Sequence, residues 1–242
     1  MPRASLSGVS VAGVGQGETN LTTTVYESQG YSDSNADGRF PRRERMTPIT
    51  AEIVLFDGFD ELDAIGPYEV FDYGREAGAP LETSFVTLEP TDLVRASHGT
   101  RVEPDGVLGE PDLLVVPGGG WASEDGGVRR VIAETRLPAA VADAHADGVT
   151  VASVCTGAMI LADAGILEGR PATTHHTALE DLAEYTETID QRVVDDGDVL
   201  TAGGVTSGVD LALWLLEREF DADVADSAAA VLEHERQGEV YR

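Results

Sequence analysis

From residue 51 onward, short apolar runs alternate with segments of helical period, and no other feature restricts the possible folds as strongly. The runs "AEIVLF", "LLVV" and "VTVASV" are apolar along nearly their whole length rather than alternately polar. A strand that is apolar on both faces belongs inside a sheet covered by helices on each side. Between these runs lie "GPYEVFDYGREAG", "VRRVIAETRLPAAVADAHADG" and "GAMILADAG", whose apolar residues are spaced for a helix face. Pro67 suits the first turn of the first helix and Gly78 its end, while Pro138 is expected to break or restart the second. The strand pair "DQRVVDDGDVLTAGG" and the helical "TSGVDLALWLLEREF" and "ADVADSAAAVLEHE" close the chain. The pattern predicts an α/β three-layer sandwich with a mostly parallel central sheet, a flavodoxin-like arrangement.

Residues 1–45 lack this pattern. They are rich in Gly, Ser, Thr and Asn, and five arginines (Arg3, Arg39, Arg42, Arg43, Arg45) balance five acids. Such a composition buries too little apolar area to offset the entropy of ordering. A disordered extension is therefore expected over residues 1–48, with the folded domain at 49–242 and Met46 as the native start.

The formal charge of −28 falls entirely on residues 46–242, and all 16 Lys-plus-Arg residues are arginine. This excess repels phosphate backbones and anionic bilayers, which excludes nucleic acid and membrane surfaces as partners. It also repels itself. At about 1 M salt the Debye length falls to ~3 Å, which removes most of that cost. The charge predicts a halophilic protein in a salt-rich cytoplasm. No apolar run approaches the ~20 residues of a membrane helix, and the N-terminus lacks the charged-then-apolar order of a secretory signal.

Ligands of an open parallel sheet bind beyond the carboxyl ends of its strands. Three such ends carry notable residues. Cys155, the single cysteine, follows "VTVASV" and precedes Thr156-Gly157 and a helix. A tight turn there would expose sulfur beside a helix N-terminus, where the dipole lowers a thiol pKa. Packing is the competing role, since free cysteine is among the most buried residue types. Gly118-Gly119-Gly120 follows "DLLVVP" and can bring backbone N–H groups to an anion or simply turn the chain. Asp63 follows the first strand and is either an acid/base group or a helix cap. Asp57, Asp60 and Glu61 read as solvated loop acids. His175 and His176, in "PATTHHT", lie near a strand end and can line a pocket; His98, His145 and His234 read as surface or loop positions. No histidine pair has metal-ligand spacing supported by further ligands, so no metal is expected.

Four ordered stretches, "LFDGFDELDAIGPYEVF", "LLVVPGGG", "VASVCTGAMILADAGILEGRPATTHH" and "VLTAGGVTSGVDLALWLLE", resemble the ThiJ/PfpI superfamily of class I glutamine amidotransferase-like folds. The resemblance spans residues 51–232 and is nearest to the isocyanide (isonitrile) hydratase branch, with its "SVCTG" elbow. It implies Cys155 as nucleophile, Asp63 as its acid/base partner, and Thr156 as the residue that organises the two. It further implies an anion pocket from the Gly119 and Gly120 N–H groups, a small-molecule substrate, no cofactor and a homodimer. Thr156 stands where peptidase-like and glyoxalase-like branches carry histidine, which disfavours a Cys-His dyad. "TTHH" replaces "TTHW", which alters the pocket. A redox or stress sensor that uses an oxidisable Cys155 is the alternative function.

Overall fold

The computed structural model describes residues 48–123 and 125–242. The expectations for residues 1–47, including disorder and the start at Met46, lie outside the described residues. The chain runs through β1 (Ile49–Val54), α1 (Glu61–Glu76), β2 (Leu81–Thr87), β3 (Val94–Arg95), β4 (Arg101–Val102), β5 (Gly106–Val107) and β6 (Leu113–Val116). It continues through α2 (Gly127–Glu134), α3 (Arg136–Ala146), β7 (Thr150–Val154), α4 (Gly157–Asp163), β8 (Pro171–Ala172), α5 (Leu179–Leu182) and β9 (Glu187–Thr188). The last elements are β10 (Val193–Asp195), β11 (Val199–Ala202), α6 (Ser207–Glu219), α7 (Ala222–Val231) and β12 (Val240–Tyr241).

Eight strands form one sheet in the order β12-β10-β11-β7-β6-β1-β2-β5. Every pairing in it is parallel except β10 with β11. The predicted α/β sandwich is thus the fold. Central strand β6 is buried at all four positions, as a strand covered on both faces must be. Helices α1, α6 and α7 pack together on one face, and α2, α3 and α4 on the other. From Leu211 to Leu216, α6 is buried continuously, because it lies between the sheet and α1 and α7. Among the described residues no helix is long and apolar enough to cross a membrane.

One helix boundary differs from the sequence expectation, and one matches it. α1 begins at Glu61, six residues before Pro67, because the Asp60 side chain accepts the Leu62 N–H and caps it. Pro67 is therefore interior. The second helical stretch breaks at Thr135, which adopts φ 61°, three residues before Pro138. Pro138 then falls in the first turn of α3, where its missing N–H costs nothing.

The acid excess stays largely uncompensated, since 16 basic residues face 44 acids, even though Arg170 and Arg218 each engage two carboxylates. Thermal melting should therefore depend on salt. The midpoint is expected to rise by about 10 °C or more between dilute buffer and 2 M KCl as self-repulsion is screened. A midpoint indifferent to KCl would contradict the halophilic assignment.

Candidate active site

The chain leaves β1 for β2 on one side and later returns to β6 on the other, which opens a crevice at the carboxyl ends of β1, β6 and β7. The loops after these strands are stitched together there. Asp60 N donates to the Gly118 carbonyl at 2.8 Å. Gly118 N donates to Asp63 Oδ2 at 3.1 Å, and Gly119 N donates to Thr156 Oγ1 at 3.0 Å. The structure thus brings Asp63, the glycine turn and the residue after Cys155 into one bonded cluster.

Cys155 occupies the sharp turn between β7 and α4 with φ 56°, a left-handed conformation that costs a non-glycine residue on the order of 1–3 kcal/mol. Its neighbours hold it there. The Cys155 N–H donates to the Gly203 carbonyl at 2.9 Å, and the Thr174 hydroxyl donates to the Cys155 carbonyl at 2.8 Å. The sulfur is faced by the N–H groups of Val205 and Thr156.

The electrostatics reverse one sequence expectation. The thiol was expected below its usual pKa because of the helix N-terminus; it is instead pushed up to about 12. Burial is the main cause, since Cys155 is 7% exposed, and the Asp63 charge adds to it. Asp63 is 0% exposed and is pushed up to about 8, by burial first and then by the nearby Asp60 charge, against the lowering influence of the Gly118 N–H and of a hydrogen bond with the Cys155 side chain. At neutral pH its carboxyl therefore holds a proton. Oδ2 is anchored by Gly118, and Oδ1 has no hydrogen-bond partner among the described residues. A buried polar atom left unpaired calls for an explanation.

Gly119 is a second correction. Its N–H, expected in an anion pocket, is spent on the Thr156 hydroxyl. The donors at the sulfur come instead from Thr156 and Val205, and Val205 was not foreseen. Gly118 has a steric role in this cluster. A Cβ there would lie 2.6 Å from Thr156 N, 2.7 Å from Thr156 Oγ1 and 2.9 Å from Asp63 Oδ2. Gly118→Ala is expected to destabilise the fold by about 1–3 kcal/mol, as overpacking does, and to displace both Asp63 and Thr156. Urea unfolding checks the first effect. A fully stable variant would show that the cluster is looser than these distances imply.

The remaining candidates separate by position. His175 lies against the turn after β11, its Cδ2 2.6 Å from where a Cβ on Gly204 would sit. Burial, then His176, holds its imidazole below the usual pKa, while Asp60 acts the other way. The His176 ring packs against it in a tilted arrangement, centroids 4.2 Å apart, and is exposed. Asp60 and Glu61, expected as solvated loop acids, are structural. Asp60 caps α1, and Glu61 accepts from the His98 and Thr100 N–H groups and pairs with His98 Nδ1 at 2.9 Å. Burial pushes Glu61 up, but these bonds outweigh it and bring its pKa down to about 2. Asp60, Glu61 and His98 each offer one ligand atom within 4.8 Å of the others. Sequence spacing did not anticipate this trio, because His98 arrives on a separate hairpin. Its carboxylates are already committed to backbone N–H groups. His234, expected on the surface, bonds the buried Asp210 at 2.8 Å.

An open parallel sheet, a strained strand-to-helix cysteine and a buried carboxyl beside it define a class of α/β protein built around one thiol. The DJ-1/PfpI family profile matches residues 50–218, and the chain belongs to that family. It is 33% identical over 189 residues to an isonitrile hydratase of Pseudomonas putida, covering 75% of this chain and 76% of that protein. It is also 30% identical over 172 residues to a deglycase of Thermococcus kodakarensis, covering 68% of this chain and 94% of the relative. A crystal structure of a ThiJ/PfpI family protein from Pseudomonas syringae superposes with a TM-score of 0.70 at 24% identity over 84% of each chain, which matches the fold.

Proposed function

We propose that the protein is a cysteine-dependent, cofactor-free enzyme that hydrates isonitriles to N-substituted formamides. The observation that carries this reading is the buried, proton-bearing carboxyl of Asp63, hydrogen-bonded to the one thiol of the chain. An isonitrile carbon takes a nucleophile and a proton at the same atom, so it requires this pair of groups in this proximity.

In the first step the Cys155 sulfur bonds to the terminal carbon while Asp63 gives that carbon its proton. The thiol proton passes to Asp63, and the product is a thioimidate, S–CH=N–R. The Val205 and Thr156 N–H groups stabilise the sulfur as negative charge develops on it. Asp63, protonated again, gives that proton to the imine nitrogen and, now a carboxylate, takes one from the water that adds to the same carbon. The C–S bond breaks, the thiol regains a proton, and HC(=O)–NH–R leaves. Neither step calls for a metal or an organic cofactor. Thr156 organises the cluster through Gly119. The 33% identity to the Pseudomonas putida isonitrile hydratase supports this choice of reaction.

The deglycase relative supports a second enzymatic reading, against which Thr156 stands in place of the histidine of glyoxalase-like branches. A redox sensor would need the thiolate at rest, which burial and the raised pKa oppose, whereas hydration needs it only as Asp63 takes the thiol proton. A cytoplasmic homodimer belongs to the same proposal and rests on family membership. Proton NMR of the purified protein with an alkyl isonitrile tests the reaction: a formyl resonance should grow catalytically. Glyoxal-adduct turnover without formamide would support the second reading instead.

A further inference from the structure

Val205 has φ 28°, a conformation that a β-branched residue adopts only under constraint, and it lies in the turn whose Gly203 carbonyl accepts the Cys155 N–H at 2.9 Å, which brings its own N–H to the sulfur. The constraint comes from outside the site. Gly203 N donates to the Arg192 carbonyl at 3.0 Å, and Arg192 Nη2 donates to Thr206 Oγ1 at 3.0 Å. One arginine thereby grips the turn on both sides of Val205. Its guanidinium is in turn bound through Nε to Asp210 Oδ2 on α6. Asp210 is 5% exposed, and its other oxygen pairs with His234 Nε2 at 2.8 Å and accepts the Gln237 N–H at 3.2 Å. A guanidinium–carboxylate pair in such a position has to satisfy its remaining hydrogen-bonding groups to repay desolvation, and here those groups are the 203–206 turn and the C-terminal segment.

We propose that Arg192 is a positioning residue of the site: held by Asp210, it fixes the 203–206 turn so that the Val205 N–H stays aimed at the Cys155 sulfur. Asp210, His234 and Gln237 form the brace behind it, so the segment after α7 sets the reactivity of a thiol it does not touch. This inference rests on the proposed Cys155–Asp63 chemistry, in which sulfur gathers negative charge.

The test uses the full chain and two readouts. Because Cys155 is the only cysteine, iodoacetamide alkylation at pH 9 reports thiolate at that one position. Isonitrile hydration gives kcat and KM. Thr206→Val removes the exposed acceptor of Arg192 and should leave the melting temperature unchanged. Both alkylation rate and kcat should nonetheless fall about three- to tenfold, with KM within twofold of the parent, as loss of a charge-assisted bond implies. Arg192→Gln should lose about tenfold or more in both, and Arg192→Lys, which keeps the charge beside Asp210, should recover part of it. Unchanged alkylation in folded Thr206→Val and Arg192→Lys, or faster alkylation from an opened turn, would overturn the proposal. Absence of hydration in the parent would refute the isonitrile reaction alone, since alkylation would still decide the role of Arg192.

Discussion

Cys155→Ala should lose isonitrile hydration by at least about 10³-fold, since no other group can form the covalent intermediate. Its fold should persist. Alanine keeps the small volume and inherits the left-handed backbone at φ 56°, so the strain is neither relieved nor increased. The stability change is expected within about 1–2 kcal/mol, the cost of a small loss of buried sulfur contacts. Cys155→Ser should be as inactive as Cys155→Ala, because a serine hydroxyl between the same N–H groups is a far weaker acid than a thiol. The combination separates chemistry from packing. If Cys155 served only to fill space, serine or alanine would cost stability and spare activity. Steady-state rates, with circular dichroism and melting on the same samples, check both halves.

Asp63→Asn should have the opposite signature in stability. The native carboxyl is raised from 3.8 to about 8, so the folded protein binds this proton more tightly than the unfolded chain does. The stability associated with neutral Asp63 is complete below pH 4 and is lost progressively as pH climbs to about 8. Asparagine cannot ionise and escapes that loss. The advantage of Asp63→Asn over the parent should grow by on the order of 3 kcal/mol between pH 5 and pH 8, at 1.36 kcal/mol for each pH unit. Paired urea titrations at the two pH values measure this, and groups that titrate alike in both proteins cancel. Activity should vanish in the same variant, because the amide has no proton to give. In the parent, kcat/KM should fall as pH rises through about 8, where the acid form of Asp63 disappears. The two titrating groups influence each other, so this limb belongs to the pair. A stability gap that is flat with pH would mean that Asp63 is already ionised at pH 5.

Much of the fold was legible in the sequence because it is written in local patterns. Fully apolar "LLVV" marked a strand buried on both faces, and "VASV" before Cys155 marked a strand ending in a turn. The boundary of α1 was misplaced because Pro67 is a strong local signal, whereas capping by Asp60 depends on where the β1 loop delivers it. The site was legible in its members and not in its energetics. Residue order offered Cys155 and Asp63 as candidates, and the family resemblance gave them and Thr156 their roles. The sign of the thiol shift depends on burial and on a carboxyl from α1, 92 residues earlier, and neither is a property of the cysteine's neighbours. Helix-dipole reasoning looked only at the neighbours and gave the wrong direction. Gly119 misled in a similar way, since its N–H is taken by a hydroxyl that arrives from another strand end. Val205 and Arg192 carried no signal at all. "AGGVTSG" looks like an ordinary glycine turn until Arg192, Asp210 and His234 converge on it in three dimensions.

The central claim is that Cys155 and Asp63 together add to one carbon, and its most direct measurement is mass spectrometry of the intact protein under substrate. Protein quenched with acid during turnover of an alkyl isonitrile should gain the full mass of one isonitrile. The gain should map to the peptide that contains Cys155, be absent in Cys155→Ala, and clear as formamide accumulates. Formamide produced with no adduct on Cys155, or at an undiminished rate by Cys155→Ala, would contradict the account.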